Sequence, residues 1–221
     1  MSTLTTNYLD IIERLPAGAK LELPNIDWDE YEHLLTQMES QHPGHRLTYH
    51  CGRLIVVSPN REHEFFKLFM SRMANILADE LGLEIEATGA TTLRRRKLGK
   101  GVEPDESFYV QNAAHLVGHL EFDLDVDPPP DIAVEIDMTN DSLDKFPIYA
   151  ALGVPEIWRY DGQTTQFYKL AGESYEVMEN SLAFPTLTAQ VLTLHLELSK
   201  NEGQTAALKA FRQMLRSRAS S

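Results

Sequence analysis

Three acids and a lysine are spaced in a way that could do phosphate chemistry. Pro104-Asp105 comes first, Glu135-Ile136-Asp137 follows after a gap, and then Lys145. Carboxylates brought side by side by neighbouring strands can hold a hard divalent cation, which takes oxygen ligands. Such a cation orients a water, lowers its pKa and stabilises negative charge on a phosphate. A lysine close by can position the water or offset the developing charge.

The acids at 135 and 137 lie on the stretch PDIAVEID, Pro130–Asp137. A strand sends alternate side chains to opposite faces. This one would bury Ile132, Val134 and Ile136 and line up Asp131, Glu135 and Asp137 on the other side. A strand covered on both faces reads as a nearly continuous apolar run, so the acids need a reason. One reason is an edge strand with a wet second face. The other is a cation site.

The 221 residues are enough for one large domain with a sizeable core. At 43% hydrophobic, the composition is that of a folded chain. No apolar run is long enough to span a bilayer, and no basic segment leading into an apolar one marks a signal peptide. The single cysteine, Cys51, fits a reducing cytoplasm. The net charge of −13 argues against a protein that coats nucleic acid through a broad basic surface. A small local basic site is compatible with it. No P-loop, dinucleotide fingerprint, zinc-spaced Cys/His set or nucleophile elbow is present.

The elements that must position the acids follow from periodicity. Short helices are expected at Asn7–Leu15 and, behind an Asp27 cap with Glu30 completing a capping box, from Trp28 to about Gln41. Arg46–His50 and Arg53–Val57 read as a hairpin turning at Cys51–Gly52. Glu62–Leu81 is the strongest helix, with a stripe through Phe65, Phe69, Met73, Ile76 and Leu77, widened by Phe66 and Leu68. Asn60 is a candidate cap and Gly82 the expected stop. His63, alone beside Glu64, reads as a helix-surface residue. Strands are expected at Leu83–Ala87, Ala90–Arg94 and Ser107–Val110, and a short helix at Gln111–Gly118.

Beyond the acidic strand, a helix over Asp144–Leu152 is expected, with Asp144 as its cap, Pro147 in its first turn and Gly153 as its stop. Tyr149 and Trp158 read as core. Ile157–Tyr160 is a short strand, and Thr164–Leu170 with Ser174–Met178 a hairpin. Helices starting near Leu187 and spanning Asn201–Arg218 close the chain. The run Arg94-Arg95-Arg96-Lys97-Leu98-Gly99-Lys100 is basic within an acidic protein. It is either a solvated hairpin tip or a phosphate contact beside the site. Glu121–Asp127 reads as an acidic loop or edge segment. The mixed order of helices and strands points to an α/β or α+β fold around a mixed sheet.

Pro104-Asp105 followed by Glu135-x-Asp137 resembles the PD-(D/E)XK nuclease-like superfamily. The wider runs, GVEPDESFYV and PPPDIAVEIDMTNDSLDKFPIYAALGVPEIWRYDG, are similar to a bacterial restriction endonuclease family of otherwise unknown function. The similarity reaches from about Trp28 to Leu196. It implies a restriction-endonuclease-like core, a mixed central sheet flanked by helices. The nuclease-like domain would occupy 28–198, with an N-terminal extension over 1–27 and a C-terminal helix over 199–221. It further implies magnesium, with manganese as a substitute, bound by Asp105 and Glu135. DNA would be the substrate, with RNA an alternative, and a homodimer the acting form. Glu64 matches the acid many members keep on the first core helix. The superfamily's lysine position holds Asp137 here, and Lys145 is the migrated replacement. The implied activity is hydrolysis of DNA phosphodiesters by Asp105, Glu135, Lys145, Glu64 and Asp137, with Arg94, Arg95, Arg96 and Lys97 touching nucleic acid. The rival reading is a nuclease-fold binding or accessory protein with little or no cleavage.

Overall fold

The computed structural model describes residues 3–41, 44–119, 123–138 and 142–219. Part of the acidic segment, Glu121 and Phe122, lies outside them. Two sheets organise the described residues, each with an apolar core on one side and a further cluster shared between them.

The first sheet is antiparallel, in the order β1-β3-β2-β6-β5. It comprises β1 (Lys20–Pro24), β2 (Arg46–His50), β3 (Arg53–Val57), β5 (Leu93–Arg95) and β6 (Lys100–Val102). The β2–β3 hairpin turns at Cys51, whose positive φ of 47° is paired with Gly52 at 92°. Two helices cover this sheet, α1 (Thr3–Glu13) and α2 (Trp28–Gln41). They bury Ile12, Tyr31, Leu34, Leu35 and Met38 against Leu47, Leu54 and Val56. The Asp27 carboxylate accepts the Glu30 N–H at 2.8 Å, the expected cap of α2.

The second sheet is mixed, in the order β11-β10-β9-β8-β7-β4. Its strands are β4 (Glu86–Ala87), β7 (Glu106–Tyr109), β8 (Ile132–Ile136), β9 (Glu156–Tyr160), β10 (Thr165–Ala171) and β11 (Ser174–Met178). Among the described strands of this sheet only β8 and β9 run parallel. The crossover between them carries α5 (Phe146–Leu152), as a parallel pair requires. A small α4 (Ala113–Leu116) follows β7.

The acidic strand is therefore no edge. β8 lies inside the sheet and all five of its residues are buried. Its Ile132, Val134 and Ile136 join a core with Phe66, Phe69 and Met73 of α3 (Arg61–Leu81) and with the closing helices. Ala133 faces the other way, into a cluster with Ile148, Tyr149 and Leu152 of α5. Alternation puts Glu135 on that same α5-facing side.

α3 begins where the Asn60 side chain accepts the His63 N–H and ends at left-handed Gly82. Its buried face is rotated from the expected stripe. Phe66, Met70, Ala74 and Ala78 are buried, whereas Phe65 and Ile76 are only partly so and Leu68 is exposed.

Several expected bounds change. The segment after α3 forms strand only at Glu86–Ala87, and the next strand starts at Leu93. The chain closes with α6 (Ala189–Glu202), capped by Thr188, and α7 (Gln204–Ala219). They break at Gly203 (φ 90°), where a single helix from Asn201 was expected. Helix α7 lies on α3, and Arg216 grips Glu80 with two bonds of 2.9 Å. β1 was not expected at all. Five residues with lysine and glutamate and a terminal proline make a weak strand pattern, and pairing with β3 decides it.

Candidate active site

A cavity opens between the two sheets. Thr48, Ile55 and Val57 line it from the first sheet, and Asp105, Glu135 and Ile136 from the second. Hydrogen bonds at Glu103 tie the join between the sheets. Glu103, between β6 and β7, accepts the Leu47 N–H at 2.7 Å and the Thr92 hydroxyl at 2.8 Å, and its own N–H returns to Leu47 O. Burial pushes the Glu103 carboxyl up, against the pull of those bonds.

Asp105 and Glu135 meet because β7 and β8 are antiparallel neighbours. Glu106 pairs with Val134, so one step along the register sets Asp105 across from Glu135. The Asp105 N–H donates to Val134 O at 2.9 Å, and its Oδ2 accepts the Ile136 N–H at 2.7 Å. Both side chains are nearly closed off, with residue exposures of 4% and 1%.

Lys145 stands at the start of α5. A 3-10 turn over Leu143–Lys145 precedes the helix, so Lys145 itself is the residue before the first helical turn, and no side chain caps it. The expected Asp144 cap does not form, and Asp144 lies 3.6 Å from Lys20 instead. Pro147 holds the early helical position, where its missing N–H costs nothing. From there the Lys145 ammonium donates to Glu135 Oε2 at 2.7 Å and Oε1 at 3.0 Å, and reaches Glu103 O at 3.4 Å. One turn on, the Tyr149 hydroxyl donates to Glu135 Oε1.

His63 is the residue the sequence reading missed. It opens α3 and is buried, and its Nε2 lies 2.9 Å from Asp105 Oδ1. Its neighbour Glu64 turns outward. That carboxylate is 40% exposed and lies 3.8 Å from Arg46, 3.5 Å from Lys67 and 3.5 Å from His63 Nδ1. Glu64 is not among the cavity-lining residues, whereas His63 is. Asp137 lines the cavity too, but its Oδ2 accepts Arg159 Nε at 2.6 Å and both the N–H and the hydroxyl of Ser142. Asp131, the remaining acid of the strand, caps the turn after β7 through Val110 N, Asn112 N and the Asn112 amide.

The basic run forms the β5–β6 hairpin away from the cavity lining. Arg94 pairs with Glu32, Arg96 with Asp29, and Arg95 donates to Leu124 O at 2.9 Å. Lys97 is exposed.

The electrostatics split the two central acids. Burial lifts Glu135 to about 8, and the Asp105 charge adds to the lift, against the pull of Lys145 and Tyr149. Burial acts upward on Asp105 as well, but the His63 hydrogen bond and the Lys145 charge hold it below its ordinary value. Burial pulls the Lys145 ammonium down, yet the Glu135 and Asp105 charges more than offset this and leave it raised. Two neighbouring carboxyls pushed in opposite directions are a pattern of acid–base sites.

The donor chemistry fits a small hard cation. Magnesium is usually held by one or two carboxylates and keeps several waters, and Asp105 and Glu135 supply two. Burial is the main cause of the raised Glu135, with the Asp105 charge adding to it, and a cation between the two carboxyls would favour the ionised form. His63 and Tyr149 are second partners of the kind that orient metal-binding carboxylates. Among the described residues there is no cluster of three or more His, Cys, Asp or Glu set to hold a metal. A cation here would rest on the two carboxylates, with water and substrate completing its shell.

A mixed sheet that sets an aspartate beside a glutamate at the end of adjacent strands, with a lysine on the crossover helix, defines a restriction-endonuclease-like α+β protein. Comparison with family models agrees. The Uma2 model, described as "Putative restriction endonuclease", matches residues 28–201, and the chain belongs to that family. Curated proteins give no match. Among solved structures, one from Anabaena variabilis ATCC 29413, described as a putative nuclease belonging to DUF820, is similar at a TM-score of 0.47 and 17% identity. The alignment covers 68% of this chain and 90% of that one. Among the described residues no helix is long and apolar enough to cross a membrane.

Proposed function

We propose that this chain is a magnesium-dependent endonuclease that hydrolyses DNA phosphodiesters, with manganese able to substitute. The observation that supports this reading is the meeting of buried Asp105 and Glu135 with Lys145 in one cavity. Asp105 and Glu135 would hold the cation. When bound, it supplies Lewis acidity and makes a water more acidic.

The chain's own residues do the rest. His63 fixes the rotamer of Asp105, and Tyr149 that of Glu135. Lys145 places a positive charge at the carboxylate pair, where it can offset charge that grows on a phosphate. Asp137 would act at the cavity wall, held there by Arg159. Glu64 would act from beside His63, outside the cavity lining. Arg94–Lys97 would touch DNA further from the cut, chiefly through Lys97. The nuclease unit spans 28–198 in this reading, with 1–27 and 199–221 as additions to it. It acts in the cytoplasm as a homodimer, since cutting both strands of a duplex is met most simply by two-fold symmetry.

The test is cleavage of plasmid DNA with magnesium by wild type and Glu135→Ala, together with manganese soaked into crystals. Metal-dependent nicking by wild type alone, and an anomalous peak about 2.0–2.3 Å from both carboxylates, is the expected result. The same assay on RNA assigns the substrate. The capture of Lys145 by Glu135 favours one rival, a nuclease-fold binding module with little cleavage. No metal-dependent cutting of DNA or RNA above the Glu135→Ala control would make that rival the better account.

A further inference from the structure

Arg46 opens β2, and its side chain is only 11% exposed. A guanidinium is charged at any working pH and carries five N–H donors in a planar fork. The protein engages few of them. Nη1 donates to His45 O at 3.1 Å. Nη2 stands 3.8 Å from Glu64 Oε1, too far for a hydrogen bond, and that carboxylate is half-exposed and shared with Lys67. The Nε–H is buried and has no hydrogen-bond partner among the described residues. An unmade buried donor on a charged group is a costly feature to keep.

The guanidinium is not walled into solid core. Arg46 lines the cavity that holds Asp105 and Glu135, and also a second cavity bounded by Leu35, Thr88 and Thr92. A ligand therefore has room beside it. The other cations at the active cavity are already paired, Lys145 with Glu135 and Lys20 with Asp144. Among the described cations that line it, Arg46 is the one with a buried donor that has no hydrogen-bond partner, whereas Lys20, a third exposed, also meets solvent. It also comes from the first sheet, whereas the carboxylates come from the second. A phosphate chain lying between the sheets would meet the acids on one wall and Arg46 on the other.

We propose that Arg46 is a substrate-binding residue that grips a backbone phosphate of the nucleic acid, next to the phosphate held at Asp105 and Glu135. This rests on the nuclease reading above. The planar fork suits a phosphate's paired oxygens, and a phosphate at the cavity would meet the Nη groups, which the described residues engage only through His45 O and a carboxylate 3.8 Å away.

The test uses the full chain with a short fluorescein-labelled DNA duplex, in calcium rather than magnesium, with affinity followed against salt. Arg46→Gln should weaken binding about tenfold or more and lower the salt slope by about one phosphate contact, while melting like wild type. Arg46→Lys should recover the slope, because it keeps the charge, but only part of the affinity, because it lacks the fork. Wild-type affinity and slope in folded Arg46→Gln would overturn the proposal. Should Arg46→Gln not fold, Arg46→Lys and a wild-type crystal soaked with thymidine 5′-monophosphate decide. A phosphate within hydrogen-bond distance of the guanidinium supports the proposal, and a phosphate elsewhere or none overturns it. If wild type neither binds nor cuts DNA, the nuclease reading fails and this proposal with it. If wild type does both and Arg46→Gln matches it, Arg46 alone is wrongly assigned.

Discussion

Lys145 Nζ meets both carboxylate oxygens of Glu135, at 2.7 and 3.0 Å. The two residues lie ten positions apart, one on β8 and the other where the crossover toward β9 turns into α5. A lysine on the strand itself, at position 137, would project to the same face as Glu135. Asp137 holds that place and is tied to Arg159 and Ser142. The crossover thus returns a positive charge to the carboxylate from another element. Tyr149, one turn further along the helix, binds the same carboxylate and fixes its direction.

The pair makes metal-free stability depend on pH. Folded Glu135 is lifted to about 8 from an ordinary value of 4.5. Between those values the folded chain keeps a proton that the unfolded chain has released, so this group's contribution falls as pH rises. Glu135→Gln cannot titrate. In EDTA, its stability relative to wild type should improve with pH across that window and level off above it. Thermal melts over a pH series measure this. A difference that stays flat, or runs the other way, would mean that Lys145 keeps Glu135 ionised throughout.

How much of this was readable without coordinates differs from residue to residue. Glu135 stood out because acids on an apolar strand conflict with burial, which either a wet edge or a cation site would resolve, and Asp105 stood out as part of Pro104-Asp105. Lys145 followed from the place Asp137 fills. His63 was hidden. It sits between Glu62 and Glu64 in a polar first turn, and only the docking of α3 against the β7–β8 ends buries it. Tyr149 was correctly read as buried, but the partner of its hydroxyl depends on how α5 lies over β8. The division into two sheets was equally out of reach. It depends on β6 pairing with β2 across a long sequence gap, and local patterns do not encode that register.

His63 should matter through Asp105. Its hydrogen bond to Oδ1 leaves Oδ2 on the Ile136 N–H, so the carboxylate is held from both sides. Losing such a partner typically lowers metal affinity by about 10–100-fold. Manganese titration by calorimetry should show a loss of that size for His63→Ala, with the fold retained. Unchanged affinity would leave His63 as a packing residue only.

The basic hairpin should contribute less than its charge count suggests. Arg94 and Arg96 are paired with Glu32 and Asp29, and Arg95 holds the Leu124 carbonyl. Lys97→Ala should therefore lower the salt slope of DNA binding by about one. Replacing Arg95, Arg96 and Lys97 together should add little to that. A drop by about three in the triple variant would show that the arginines leave their acids for phosphates, which weak surface pairs permit. No change in either variant would return the hairpin to a solvated tip.

The last prediction separates enzyme from retired fold and concerns Lys145→Met. In the metal-free protein this change strips a buried carboxylate of its ion-pair partner. Such losses cost up to about 3–5 kcal/mol when the remaining charge cannot be neutralised. Glu135 can take up a proton instead, because burial already favours its neutral form, so the loss of stability should be well below that range near neutral pH. With metal present, the cation replaces the missing positive charge and the variant should melt close to wild type. Manganese binding should persist, since Asp105 and Glu135 are intact. DNA affinity should change little. The cleavage rate should fall roughly a hundredfold or more, the usual effect of removing one preorganised charge at a reacting phosphate. Single-turnover cleavage in magnesium, set beside melts with and without metal, reads all of these together. Equal cutting by wild type and Lys145→Met would mean that the ion pair is a structural latch for Glu135 and that another group meets the phosphate.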